Sequence, residues 1–128
     1  MSFTNYLENA VLDEIFSKHN IPNYVMYVAL WIGNPGESGV LGAEVSGGGY
    51  ERTLEISTSW REAGGGETRN EYDVIFPEAT GDWGTVTHFA IIDPTYGMLI
   101  YGALGTPKLI LAGSIPRFSL DTLIITLT

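Results

Sequence analysis

Apolar and polar positions along this chain follow two different rhythms. Within residues 4–19, Leu7, Val11, Leu12, Ile15 and Phe16 recur at helical spacing and form one stripe. Glu8, Asp13, Glu14 and Lys18 fall on the opposite side. Thr4 or Asn5 can cap the first free N–H groups, and Lys18 and His19 sit at the negative end. Pro22 then stops the helix, because the residue before a proline avoids the α region. The pattern therefore predicts an N-terminal α-helix over about residues 4–19. It either packs on a sheet or docks on another chain.

After Pro22 the rhythm is that of strands and turns. Residues 24–32 are dense in β-branched and aromatic side chains and suit a central strand, closed by Gly33, Asn34, Pro35 and Gly36. Further strands are expected at 50–58, 72–76, 85–92, 98–103, 109–111 and 122–127, with Gly- and Pro-bearing turns between them. Alternation within 85–92 puts Val86, His88, Ala90 and Ile92 on one face, with Thr87, Phe89 and Ile91 on the other. Short strands at this spacing predict a mainly β fold: the helix, then an antiparallel β-sandwich or jelly roll.

Composition agrees with that class. The chain has 128 residues, one domain's worth, and neither a repeat nor a linker divides it, so residues 1–128 are expected to form one domain. Hydrophobic residues make up 45% and charged residues 16%, with 16 glycines and 6 prolines, which favours short strands over a helical bundle. The longest strongly apolar run, residues 24–32, is far shorter than the roughly 20 residues of a spanning helix. The first residues lack the basic start of a secretion signal, so a soluble protein is expected.

Charge narrows the partners. Fifteen acidic against six basic side chains give a net charge of −9. Lys18, Arg52, Arg61, Arg69, Lys108 and Arg117 are scattered singly. Nucleic acid and anionic membrane are therefore not expected as partners. With no cysteine there are no disulfides, thiolate nucleophiles or zinc-thiolate sites.

Catalytic patterns are equally sparse. His19 and His88 are the only imidazoles; the first has a capping explanation and the second stands alone on a strand. Glu44, Glu67 and Glu78 carry no signature of a glycosidase pair, and the spaced acids of a calcium loop are missing around Asp82 and Asp93. Gly47, Gly48 and Gly49 precede a strand without the Gly-Lys-Ser/Thr of a phosphate cradle, and read as a flexible loop or bulge. No enzyme, cofactor or metal site is expected.

Contact surfaces are the remaining possibility. Trp83 stands between Gly81 and Gly84 just before a strand, and either closes the end of the core or anchors an interface. Trp60 lies in a glycine-rich excursion with little of its own to pack on. It and the apolar tail with Leu123, Ile125 and Leu127 complete the candidate interface residues.

Several blocks resemble a known family. They are residues 2–9, the Leu12–Phe16 stretch, 45–52 with its three glycines, 76–89 around Trp83, 101–108, and the closing 123–127. Together they resemble small tailed-bacteriophage virion proteins labelled tail fibre protein, over essentially the whole chain, with the Trp83 block the most specific piece. Loops 34–42 and 59–70 match no pattern. The resemblance implies a phage structural protein with no catalytic residues to carry over. Fibres usually carry heptads or repeats, and neither is seen here. A cement or decoration subunit on the outer capsid surface, self-associating and bridging the major capsid protein, is therefore the first expectation. A tail-fibre or baseplate subunit that binds a host receptor is the alternative. A carbohydrate-active enzyme on a jelly roll would need an acid pair in a cleft, and none can be nominated.

Overall fold

The computed structural model of the protein describes residues 2–7, 26–55, 60 and 67–126. The described chain is built of antiparallel strands, with one helical turn at residues 5–7. The remainder of the expected helix, residues 8–19, lies outside the described residues.

The strands are β1 (Ser2–Phe3), β2 (Met26–Ile32), β3 (Ala43–Glu44), β4 (Thr53–Glu55), β5 (Glu67–Arg69), β6 (Val74–Ile75), β7 (Gly84–Asp93), β8 (Gly97–Ile110), β9 (Arg117–Phe118) and β10 (Ile124–Thr126). A six-stranded sheet runs β1-β8-β7-β2-β3, with β4 also pairing the outer edge of β2. β5 pairs β10, and β6 pairs β9, as two-stranded ribbons. Among the described residues the second layer of the expected sandwich consists of these two ribbons, which pack Val74, Leu123 and Ile125 into the core.

Burial follows the pleat. Val28, Leu30, Phe89, Ile91 and Ile100 point to one face, where they pack with Val74 and Phe76 from the β6 side and Leu123 and Ile125 from the β10 side. Ala29, Trp31, Ala90 and Ile92 form a smaller cluster on the other face, with Met98 and Tyr101 against it. Residues 34–42 lie over this second face. Trp31 Nε1 donates to Leu41 O (2.9 Å), and Tyr101 Oη donates to Glu37 Oε1 (3.0 Å).

Two irregularities in the β7–β8 pair correct the simple alternation. Val86 pairs with Lys108, but His88 pairs with Ala103, so Thr87 alone faces residues 104–107. This bulge turns Val86 into the larger core with Phe89 and Ile91, while Ala90 and Ile92 stay in the smaller cluster. A second shift, at Ile91/Ile92, brings both Leu99 and Ile100 into the larger core. The strands expected at 98–103 and 109–111 are thus one continuous strand, with Pro107 held in the bulge.

Candidate functional site

Two sequence blocks, 45–52 and 76–89, meet at Trp83. Its indole is 4% exposed and donates from Nε1 to Gly48 O at 2.8 Å. The same carbonyl accepts from Thr80 N at 2.8 Å. Gly48 has φ +56°, and a Cβ there would stand 2.9 Å from both Gly81 O and Trp83 Cδ1. Only glycine allows that approach and that backbone angle together. The Tyr50 ring meets the indole edge-on at 5.3 Å and stacks on Phe76 at 6.4 Å. The most specific block of the sequence is therefore a structural weld.

Beside the weld lies a charged cluster of Glu44, Tyr50 and Arg52. Arg52 donates from Nε to Glu44 Oε2 (2.9 Å) and from Nη2 to Oε1 (2.8 Å), a two-bond fork. Tyr50 Oη donates to Glu44 Oε2 (2.7 Å) and accepts from Leu30 N (3.0 Å). Burial pushes the Tyr50 phenol well above its ordinary value; the Leu30 N–H opposes this, and the Glu44 carboxylate adds to it. The hydrogen bond to Glu44 holds the Arg52 guanidinium above its usual range. A 570 Å³ open hollow adjoins the three side chains, with Tyr27 and Pro94 on its wall. Three donors thus converge on the Glu44 carboxylate, which ties β3 to the Tyr50–Arg52 segment.

His88 resides on the second face, paired across from Trp31. Its Nδ1 is 2.8 Å from Thr87 Oγ1, which itself accepts from Gly33 N at 2.8 Å. A hydroxyl that accepts one bond can still donate or accept another, so this contact suits either imidazole tautomer. Burial lowers the pKa of His88 below its ordinary value. Among the described residues no three acidic or imidazole side chains converge as a metal cage.

The interface residues read from the sequence are dispersed. Trp83, Leu123 (3% exposed) and Ile125 (7%) belong to the core of the single chain. Trp83 thus takes the first of its two readings and closes the end of the core, and Leu123 and Ile125 pack within the same core. Trp60 is half-buried, bridges Asn70 and packs on the larger core. Leu127 lies outside the described residues.

Two features were missed. Asn70 is 1% exposed; its Nδ2 donates to Tyr72 O (2.8 Å) and Ser119 O (3.0 Å), and its Oδ1 accepts from Leu123 N (2.9 Å). Nothing local in the sequence marks this staple. The other is the pair Val40 and Leu41, 76% and 59% exposed. Adjacent large apolar residues bracketed by Gly39 and Gly42 were a readable signal of a projecting turn.

No helix among the described residues is long and apolar enough to cross a membrane. No curated protein matches the chain. Residues 2–126 match the family described as Podophage GP4 fiber I protein gp80. With the match running through the Gly48–Trp83 weld, the sheet and both ribbons, the chain belongs to this family of podophage fibre proteins.

Proposed function

We propose that the protein is a non-catalytic structural subunit of a podophage tail fibre, held in the virion by contacts with other virion proteins and with copies of itself. The observation that carries this reading is the fibre-family match over residues 2–126. The site geometry supports it, since the glycine, tryptophan, tyrosine and arginine that stand out chemically all brace the fold. What remains outside is apolar contact area, led by Val40 and Leu41, on a chain whose charge of −9 disfavours nucleic acid and anionic membrane.

The expected capsid cement role survives as a second reading. It draws on the acidic surface, which suits an outward position away from packaged DNA, and on a sequence without heptads. Immunogold labelling of intact virions separates the two. Label on the tail, with adsorption lost and heat-induced DNA release unchanged in virions lacking the protein, supports the fibre subunit. Label over the head lattice, with DNA release at lower temperature, supports the cement subunit and refutes the first.

A further inference from the structure

The strand β8 has a half-open edge. β1 covers it at Ile100 and Tyr101, Thr4 N adds a bond to Leu99 O (2.9 Å), and from Gly102 onward its outer side has no strand partner among the described residues. Alongside this free stretch lies a 320 Å³ groove. Val86, Ile110 and Phe118 line its base, Leu104 is on its wall, and Lys108 and Arg117 stand at its rim. Val86 and Ile110 belong to the larger core, so the groove opens on the ribbon-covered face of the sheet. Arg117 pairs with Asp73 (3.6 Å), whereas Lys108 forms no ion pair among the described residues, so Lys108 supplies the uncompensated charge of the rim.

The most exposed apolar knob lies on the opposite face. Residues 34–42 cross the Trp31 and Tyr101 side, where the Leu41 N–H donates to Pro35 O (3.0 Å) and the backbone presents Val40 and Leu41 outward. Of the two charged side chains between residues 34 and 44, Glu44 is held by Arg52, which leaves Glu37 as the acid beside the knob. The knob is thus apolar with an acidic neighbour, and the groove apolar with a lysine at its rim. Being on opposite faces, they cannot meet within one molecule.

We propose that the Val40–Leu41 knob of one copy seats in the β8 groove of the next, joining copies head to tail. The proposal rests on the fibre-subunit reading and supplies it with a contact. Apolarity and charge sign match, with Glu37 beside the knob and Lys108 at the rim, and the occupant is a second copy of this chain. A contact between two different surfaces of identical subunits does not close on itself as a two-fold pair does. It continues into a ring or a filament.

The test uses the full chain and two surface variants, Leu41→Asp in the knob and Lys108→Glu in the groove rim, each first checked for native near-ultraviolet circular dichroism. Sedimentation velocity over a concentration series should show wild type growing beyond dimers, with association weakened by added salt. Each variant alone should lose association by about tenfold or more in dissociation constant. Mixed, the two variants should form a one-to-one dimer that grows no further, because each retains one intact surface. Wild type that stays monomeric, variants that associate like wild type, or a mixture without dimer would each overturn the head-to-tail contact. These outcomes leave the labelling result untouched, so a failed contact is distinguishable from a failed fibre assignment. Where Lys108→Glu lacks native dichroism, Thr106→Asp on the same groove replaces it.

Discussion

Alanine at two adjacent glycines separates backbone strain from the close approach at Trp83. Gly47 and Gly48 both have positive φ, +74° and +56°. At Gly47 a Cβ meets nothing within 4 Å, so Gly47→Ala should cost only the left-handed strain, about 1 kcal/mol. At Gly48 the added Cβ would stand 2.9 Å from Gly81 O and from Trp83 Cδ1, distances that real Cβ atoms essentially never show. Relief requires moving the indole or the backbone. Either movement weakens the 2.8 Å bond from Trp83 Nε1 to Gly48 O, worth about 1 kcal/mol. Displacing a buried indole from Tyr50 and its neighbours adds about 1–2 kcal/mol of overpacking. Gly48→Ala should therefore cost about 3–4 kcal/mol in all, roughly three times its neighbour. Urea unfolding followed by tryptophan fluorescence reads the difference as a shift in midpoint at constant slope. Equal losses for the two variants would refute the argument that the weld demands glycine at position 48.

Asn70→Ala should cost about 3 kcal/mol in the same urea assay, because it strips partners from Leu123 N and two carbonyls in a buried setting. A loss below about 1 kcal/mol would show that solvent reaches those groups. A second expectation concerns alkali. Burial raises the Tyr50 pKa in the fold above its unfolded value of 10.0, so stability is full below pH 10 and declines as pH rises towards the folded value. Tyr50→Phe should flatten that decline relative to wild type in thermal melts above pH 10, at some cost near neutrality from the lost bonds to Glu44 and Leu30. Parallel alkaline profiles for the two proteins would place the titration elsewhere.

The strands β2 and β7 were legible because their β-branched runs are long and both faces are buried, the condition under which pattern and pleat agree. The continuity of β8 was not. Gly105, Thr106 and Pro107 carry turn chemistry, and only pairing with β7 on both sides lets the sheet absorb them. The same bulge moved Val86 to the opposite face, which no alternation rule within β7 could foresee. Leu123 and Ile125 looked like a free apolar tail because their cover, the β5–β10 pairing and the Asn70 staple, comes from far upstream. Trp83 had two readings, and the choice between them required Gly48 to be brought beside it. The Val40–Leu41 turn needed no tertiary information, since its two apolar residues between glycines were visible in the chain itself.

The Gly48–Trp83 bond joins groups 35 residues apart, and the Asn70–Leu123 bond spans 53. β1, at the very start of the described chain, finds its partner only in the middle of β8. Such connectivity makes folding slow, because loops must close before any of these contacts gives a return, and milliseconds to seconds is the usual range for this kind of topology. It also means that a nascent chain cannot complete its sheet until β8 has left the ribosome. In the opposite direction, contacts that form after the rate-limiting step of folding hold back unfolding. On the fibre reading proposed above, which places the protein in the virion, resistance to unfolding matters more than speed of assembly.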